Sequence, residues 1–265
     1  MSYKLIVTDM DGTLLNEVHE ISDENKHALK KASEKGIKVA IATGRIYEST
    51  IKYARELSIE TPIICCNGAL IKEENGNVIY ESKIEDYICN NIIDLLEKNN
   101  IYYQCFTDDT IFTPYINEWL RKYQMQEDLN IKIIGSNNIK NSIKGSNILK
   151  FLIIENDLEL LSNIEIELKS IEDIELTKSF FDNIEIMKKG VNKGSAVESL
   201  AKYLGIDKSE VITFGDNHND LSMITYAGMG VAMGNAEEIV KKNANYITCK
   251  NSENGVANAL YNILK

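Results

Sequence analysis

Lys4-Leu5-Ile6-Val7-Thr8-Asp9-Met10-Asp11-Gly12-Thr13-Leu14 is the stretch whose reading decides the fold. Its apolar centre is continuous rather than alternating, which suits a strand buried on both faces within a parallel sheet. The run ends in two carboxylates at alternate residues. In an open parallel sheet ligands bind beyond the carboxyl ends of the strands, so Asp9 and Asp11 stand where one divalent cation can be shared. A plain solvated turn, which Asp and Gly also favour, is the competing reading of these residues alone.

Working outward, the first eighty residues alternate strand and helix signals. Ser22 is a candidate N-cap, Asp23 and Glu24 suit a first turn, Ala28, Leu29 and Ala32 share one face, and Gly36 is a stop. Ile37 to Ala42 reads as the second strand. Thr43-Gly44-Arg45 then turns into a helix running to about Leu57, and Ile63 to Cys66 supplies a third strand. This is βαβαβ arithmetic. Asn75-Gly76 marks a hairpin between Leu70-Ile71 and Val78 to Tyr80, and there the alternation stops.

From Ser82 to Met187 the pattern is that of a separate α+β module, with helices near Ile84 to Glu97, Tyr115 to Gln126 and Leu158 to Ser170. Strands are expected there near Tyr102 to Phe106, Ile148 to Ile154 and Ile184 to Met187. The parallel pattern resumes with a helix from about Lys193 that Gly205 ends, the strand Val211 to Phe214, short units at Gly230 to Ala232, Ala236 to Asn243 and Tyr246-Ile247, and a last helix near Gly255 to Leu264. The expected organisation is one discontinuous α/β domain over residues 1–81 and 188–265, interrupted by an inserted domain over 82–187.

Composition narrows the function. At 265 residues and 44% hydrophobic content a substantial core can form, and only two prolines among them argue against extended disorder. A net charge of -11 repels polyanions, so neither a nucleic acid nor an anionic membrane surface is an expected partner, and any anionic substrate needs a locally positive pocket. No apolar run approaches the roughly 20 residues of a membrane-spanning helix, and the start of the chain lacks a signal-peptide pattern; a cytoplasmic protein is expected. Five cysteines without paired spacing fit free thiols, and the adjacent Cys65 and Cys66 read as small buried hydrophobes.

A second acidic group, Gly215-Asp216-Asn217-His218-Asn219-Asp220, follows the apolar run Val211 to Phe214. Gathering Asp9, Asp11 and Asp216 without a cation would raise their repulsion, and for all-oxygen donors Mg2+ is the natural counter-ion. His218 is read as a loop residue; His19 and His27 lie on no comparable strand end. Thr43-Gly44, at the end of the second expected strand and the start of its helix, offers a hydroxyl and backbone N–H groups to a phosphate oxygen, while also fitting an ordinary N-cap. Lys193, in Gly190-Val191-Asn192-Lys193-Gly194, opens another helix where a cation would offset phosphoryl charge.

Together the DxDGTL run at Asp9, the Thr-Gly at 43, the lysine at 193 and the GDxxND run at 215 resemble the haloacid dehalogenase superfamily phosphatases over the whole chain. Asn67-Gly68-Ala69 and the large module between the Thr and Lys motifs are similar to the Cof-type branch with a type IIB cap, which acts on sugar phosphates and related esters. The resemblance implies a Rossmann-like sheet in the order 5-4-1-2-3 with an α+β cap over its carboxyl ends. It implies that Asp9 attacks phosphorus and that Asp11 protonates the leaving oxygen and then activates water. Mg2+ would be held by the Asp9 carboxylate, the Asp11 backbone carbonyl and Asp216. Met10 by its backbone, Thr43, Gly44, Lys193 and Asn219 would bind phosphate oxygens, Asp220 would orient Lys193 or a metal-bound water, and Arg45 and Asn67 would lie near the substrate entrance.

The expected partner is a small phosphorylated metabolite, with the chain a monomer or small homo-oligomer. Two other readings stay open at this point. A sugar phosphomutase uses the same phospho-aspartate and returns the phosphoryl group to a hydroxyl, and a phospho-accepting signalling module also places acidic residues, a Thr and a Lys around Mg2+. Tyr103, Phe106, Trp119 and Phe181 could contact substrate from the cap, but aromatics at helix and strand spacing are more often core, and none is nominated.

Overall fold

The computed structural model describes residues 3–121, 129–136 and 138–265. Its strands are β1 Leu5–Thr8, β2 Lys38–Ala42, β3 Ile63–Cys65, β4 Leu70–Lys72, β5 Val78–Glu81, β6 Tyr103–Phe106, β7 Thr110–Thr113, β8 Asn130–Ile133, β9 Lys150–Ile154, β10 Ile174–Thr177, β11 Asn183–Lys188, β12 Val211–Gly215, β13 Met229–Ala232 and β14 Tyr246–Ile247. The helices that frame them are α1 Asp23–Glu34, α2 Tyr47–Glu56, α3 Asp86–Lys98, α4 Ile139–Ile143, α5 Leu158–Leu168, α6 Lys193–Leu204, α7 Leu221–Tyr226, α8 Glu238–Asn243 and α9 Gly255–Ile263.

One sheet runs β14-β13-β12-β1-β2-β3-β4-β5. From β14 to β3 every pairing is parallel, and β4 and β5 add an antiparallel hairpin at the edge. Counting β12 and β13 as the fourth and fifth parallel strands gives the expected order 5-4-1-2-3. Burial on both sides explains the unbroken apolar run. Leu5 and Val7 pack on one face with Val197, Leu200 and Ala201 of α6, whereas Ile6 packs on the other with Leu29 of α1, Ala54 of α2 and Leu260 of α9. Each fully buried aliphatic chain of β1 contributes about 1.5–3 kcal/mol relative to exposure.

The helices form for local reasons the sequence carries. Ser22 Oγ accepts the Asn25 N–H at 3.2 Å, the acidic first turn complements the α1 dipole, and Gly36 ends it at φ +84°. Asn192 and Ser195 cap α6 reciprocally, and Gly205 closes it in the left-handed region. α2, by contrast, begins at Tyr47 with Ile46 as its N-cap, so Thr43-Gly44-Arg45 is a loop preceding the helix rather than its mouth.

A second sheet runs β10-β11-β9-β6-β7-β8, antiparallel except between β7 and β8. Its period-2 alternation sends Tyr103, Cys105, Phe151, Ile153, Ile184 and Ile186 into a core with α3, α4 and α5. The opposite face carries Phe106 and Leu152, which join the apolar cluster of the large sheet. Reading the sequence for this region misses β7, β8, β10 and α4, each only four or five residues long. β11 also runs one residue past the expected boundary at 187. Of the helix expected over Tyr115 to Gln126, only 118–121 are described as helical; 122–128 lie outside the described residues.

Candidate active site

Strand register assembles the site. Thr8 of β1 sits beside Phe214 of β12 and Ile41 of β2, so the residues that follow emerge together at the carboxyl ends of these strands: Asp9 in the middle, Gly215-Asp216 on one side and Thr43 on the other. Beyond Asp9 the chain turns sharply, with the Leu15 N–H bonded to the Met10 carbonyl at 2.9 Å. Gly12 makes this turn at φ +79°, and a Cβ there would meet Asp216 Oδ2 at 2.4 Å, so glycine is required both for the backbone and for the carboxylate beside it.

Asp9, Asp216 and Asp220 offer carboxylate oxygens all within 4.8 Å of one another. Lys193, wholly buried, reaches Asp9 Oδ1 and Asp220 Oδ1 at 2.6 Å each. Asp220 Oδ2 accepts the backbone N–H groups of Asp216 and Asn217 at 2.9 and 3.0 Å. With both of its oxygens engaged, Asp220 is an anchor for Lys193, and Asp9 and Asp216 are the carboxylates that face the cavity. Thr13 Oγ1 donates to Asp216 Oδ1 at 2.7 Å and holds it in place.

Three carboxylates against one ammonium leave an excess of negative charge in a buried space. Burial, then the charges of Asp220 and Asp216, push the Asp9 carboxyl well above its ordinary range despite Lys193. Burial and Asp220 likewise push Asp216 up to about 7. For Lys193, burial disfavours the charge, but Asp220 and Asp9 outweigh it and hold the ammonium protonated. A hard divalent cation fits this donor set, because it supplies the missing positive charge to oxygen ligands.

Asp11 is handled differently. Its carboxylate accepts Arg45 Nε at 2.8 Å and an Arg45 terminal nitrogen at 2.6 Å, a bidentate pair, and His19 Nδ1 stands 3.6 Å away. Burial works to raise its pKa, yet the His19 and Arg45 contacts win and hold it below the usual carboxylate range. His19 therefore belongs to the site although it lies on no strand end. Reading the sequence does not nominate it, since it is the turn between Leu15 and Ile21, which bridge each other, that brings it back over Asp11. His218 is exposed and not among the residues that line the cavity, and it pairs with Glu237 at 2.7 Å.

Asp9, Asp11, Thr43, Gly44, Arg45, Asp216 and Asn219 line one cavity of about 1000 Å³. Lys193, Met10, Asp220 and Asn67 lie behind this wall, each buried. Asn67 contacts it indirectly, accepting from Asn219 Nδ2 at 3.2 Å. The far wall comes from the smaller sheet: Phe106, Lys150, Leu152 and the 179–185 segment, tied to the other side by Asn217 Nδ2 donating to the Ser179 carbonyl at 2.6 Å. Tyr103 is core, as expected. Phe181 is 78% exposed and Trp119 39%, and both line the cavity, so for these two the core reading is wrong. Thr13, His19, Asn217, Lys150 and Glu185 were not anticipated; of these only Thr13 carried a signal, being part of the DxDGT run.

The chain matches the model of the haloacid dehalogenase-like hydrolases over residues 6–260. It is 33% identical to phosphatase YwpJ of Bacillus subtilis, covering 98% of this chain and 100% of the relative. It is 34% identical to the 5-amino-6-(5-phospho-D-ribitylamino)uracil phosphatase YcsE of the same organism, over 97% of this chain and 94% of that one. The structure of the subclass IIB sugar phosphatase BT4131 superposes with a TM-score of 0.85 at 28% identity, covering 98% of each chain. A match of this extent, with the acidic strand ends brought together as described, places the chain in the haloacid dehalogenase-like hydrolases, as an enzyme of their Cof-type phosphatase branch.

Proposed function

We propose that the chain hydrolyses small phosphate monoesters, sugar phosphates foremost, in a Mg2+-dependent reaction through a phospho-aspartate on Asp9. The observation that carries this reading is the position of Asp9: at the end of the central strand, facing the cavity, with Lys193 at 2.6 Å beneath it and Asp216 beside it. A carboxylate held this way is a nucleophile in fixed orientation. Asp9, the Asp11 carbonyl and Asp216 would hold Mg2+, which supplies charge neutralisation and alignment of the phosphoryl group.

The other residues divide the work. Lys193, Thr43, Gly44 and Asn219 bind the phosphoryl oxygens, with Met10 contributing backbone, and the buried ammonium strengthens as charge develops in the transition state. Asp220 keeps Lys193 in place. Asp11 gives its proton to the departing oxygen and takes one from water in the second half-reaction. The Arg45 pair favours the ionised Asp11 left once the leaving oxygen has taken its proton, and it must open for Asp11 to hold the proton that it takes from water and donates in the next turnover. Residues 82–187 act as a cap over a core formed by 1–81 and 188–265, and the cap's Phe181 and Trp119 meet the leaving group.

A screen of phosphate esters with and without Mg2+ tests this. The expected result is release of inorganic phosphate that chelation abolishes. Isomerisation of a hexose phosphate with little release would favour the mutase reading, and a long-lived phosphoprotein without turnover would favour a signalling module.

A further inference from the structure

The cap face that looks into the cavity carries an ion pair where an apolar contact would close the interface equally well. Lys150 on β9 and Glu185 on β11 are each 3% exposed, with Nζ and Oε1 2.6 Å apart. They are diagonal neighbours, since Glu185 stands opposite Leu152. Burying such a pair gains little stability, because desolvation roughly cancels the attraction. Its contacts point elsewhere.

Lys150 Nζ also donates to the Gly44 carbonyl at 2.6 Å. The flanking carbonyls of that loop are held from the core, Thr43 by the Asn67 N–H at 3.0 Å and Arg45 by the Cys66 N–H at 2.9 Å. The cap lysine thus fixes the middle one of three consecutive carbonyls in the loop beside Asp9. Glu185 Oε2 accepts Asn67 Nδ2 at 2.9 Å, and Asn67 Oδ1 in turn accepts Asn219 Nδ2 at 3.2 Å. Asn67 is held at φ +53°, a left-handed conformation uncommon outside glycine and sustained by surrounding contacts. Gly44 leaves room for this approach: a Cβ there would lie 3.1 Å from Asn67 Oδ1 and 3.3 Å from Glu185 Oε1.

We propose that Lys150 and Glu185 are a positioning pair, which on cap closure fixes the Thr43–Arg45 loop and, through Asn67, the Asn219 amide, so that the phosphoryl subsite is complete only beneath the seated cap. This rests on the reading of Thr43, Gly44 and Asn219 as phosphoryl ligands. Neither residue touches the reacting atoms.

The test replaces both charges by apolar chains of similar length, K150M/E185L, and reads inhibition by inorganic phosphate with p-nitrophenyl phosphate as substrate. A pair that merely packs the cap is replaceable, so packing alone predicts unchanged inhibition. Positioning predicts a melting midpoint close to wild type with phosphate inhibition weakened about tenfold or more, as expected when charged hydrogen bonds to two loops are lost, and KM raised more than kcat is lowered. If the double variant does not fold, E185Q, which keeps the shape but not the charge, is expected to weaken phosphate inhibition by roughly threefold to tenfold. Wild-type phosphate affinity in whichever variant folds overturns the proposal. Wild-type turnover is measured first, since its absence sinks the phosphatase reading by itself; calorimetric binding of phosphate in Mg2+ then decides the role of the pair separately.

Discussion

Lys193→Met removes an ammonium that touches both Asp9 and Asp220. Its side chain is 0% exposed and so is that of Asp220, while Asp9 is 8% exposed, so water cannot replace the lost contacts. Breaking a buried charge pair from one side costs about 3–5 kcal/mol, because the remaining carboxylates keep their desolvation penalty and lose their partner. At roughly 2–4 °C per kcal/mol for a chain of this size, the melting midpoint should fall by about 10 °C in chelator at pH 8. The sign of the pH dependence follows from the carboxylates. Without Lys193 the already raised pKa of Asp9 rises further, so the folded state binds protons more tightly than the unfolded chain and regains stability as pH falls. Differential scanning calorimetry of wild type and variant at pH 8 and pH 5.5 reads both effects. A deficit below about 1 kcal/mol at pH 8, or one that does not shrink at pH 5.5, would refute the reasoning, since it would place this loss among surface ion pairs.

Further expectations concern the metal and the turn. The Asp216 carboxyl, pushed up to about 7, holds a proton in the folded metal-free protein at pH values where the unfolded chain has lost it. Metal-free stability should therefore decline as pH rises from about 4 to about 7 and level off above, and the gain from Mg2+ should be larger at pH 8 than at pH 5.5, read from melting midpoints. Gly12→Ala places a methyl 2.4 Å from Asp216 Oδ2 in a left-handed turn, and should cost about 1–3 kcal/mol with a weakened response to Mg2+; chemical denaturation with and without the ion checks this. Arg45→Met frees Asp11 from its bidentate partner, so the acidic limb of the kcat profile should move to higher pH; an unmoved limb counts against the pair.

The large sheet was legible because its signals are local and redundant: β1 and β12 are mostly apolar, and caps such as Ser22 and Gly205 mark where α1 and α6 begin and end. The acidic strand ends were legible for the same reason, as each lies directly behind such a run. The smaller sheet was harder. β7 and β10 are four-residue strands, and β8 mixes Asn and Lys into its edge, so none offers a period long enough to read. Glu185 stands between Ile184 and Ile186, an alternation that normally sends the polar residue to solvent, and here it sends it into the interface beneath the cap. His19 and Phe181 were missed because only tertiary contact distinguishes a loop residue in a cavity from one on the surface.

The most direct measurement is chemical trapping of the phosphorylated enzyme. Rapid acid quench during turnover of a phosphate ester in Mg2+, followed by borohydride reduction and peptide mass spectrometry, converts an acyl phosphate on aspartate into homoserine. Homoserine at position 9 in the wild type, and none in Asp9→Asn, is the result expected. Modification at another residue, or turnover by Asp9→Asn near the wild-type rate, would contradict the account.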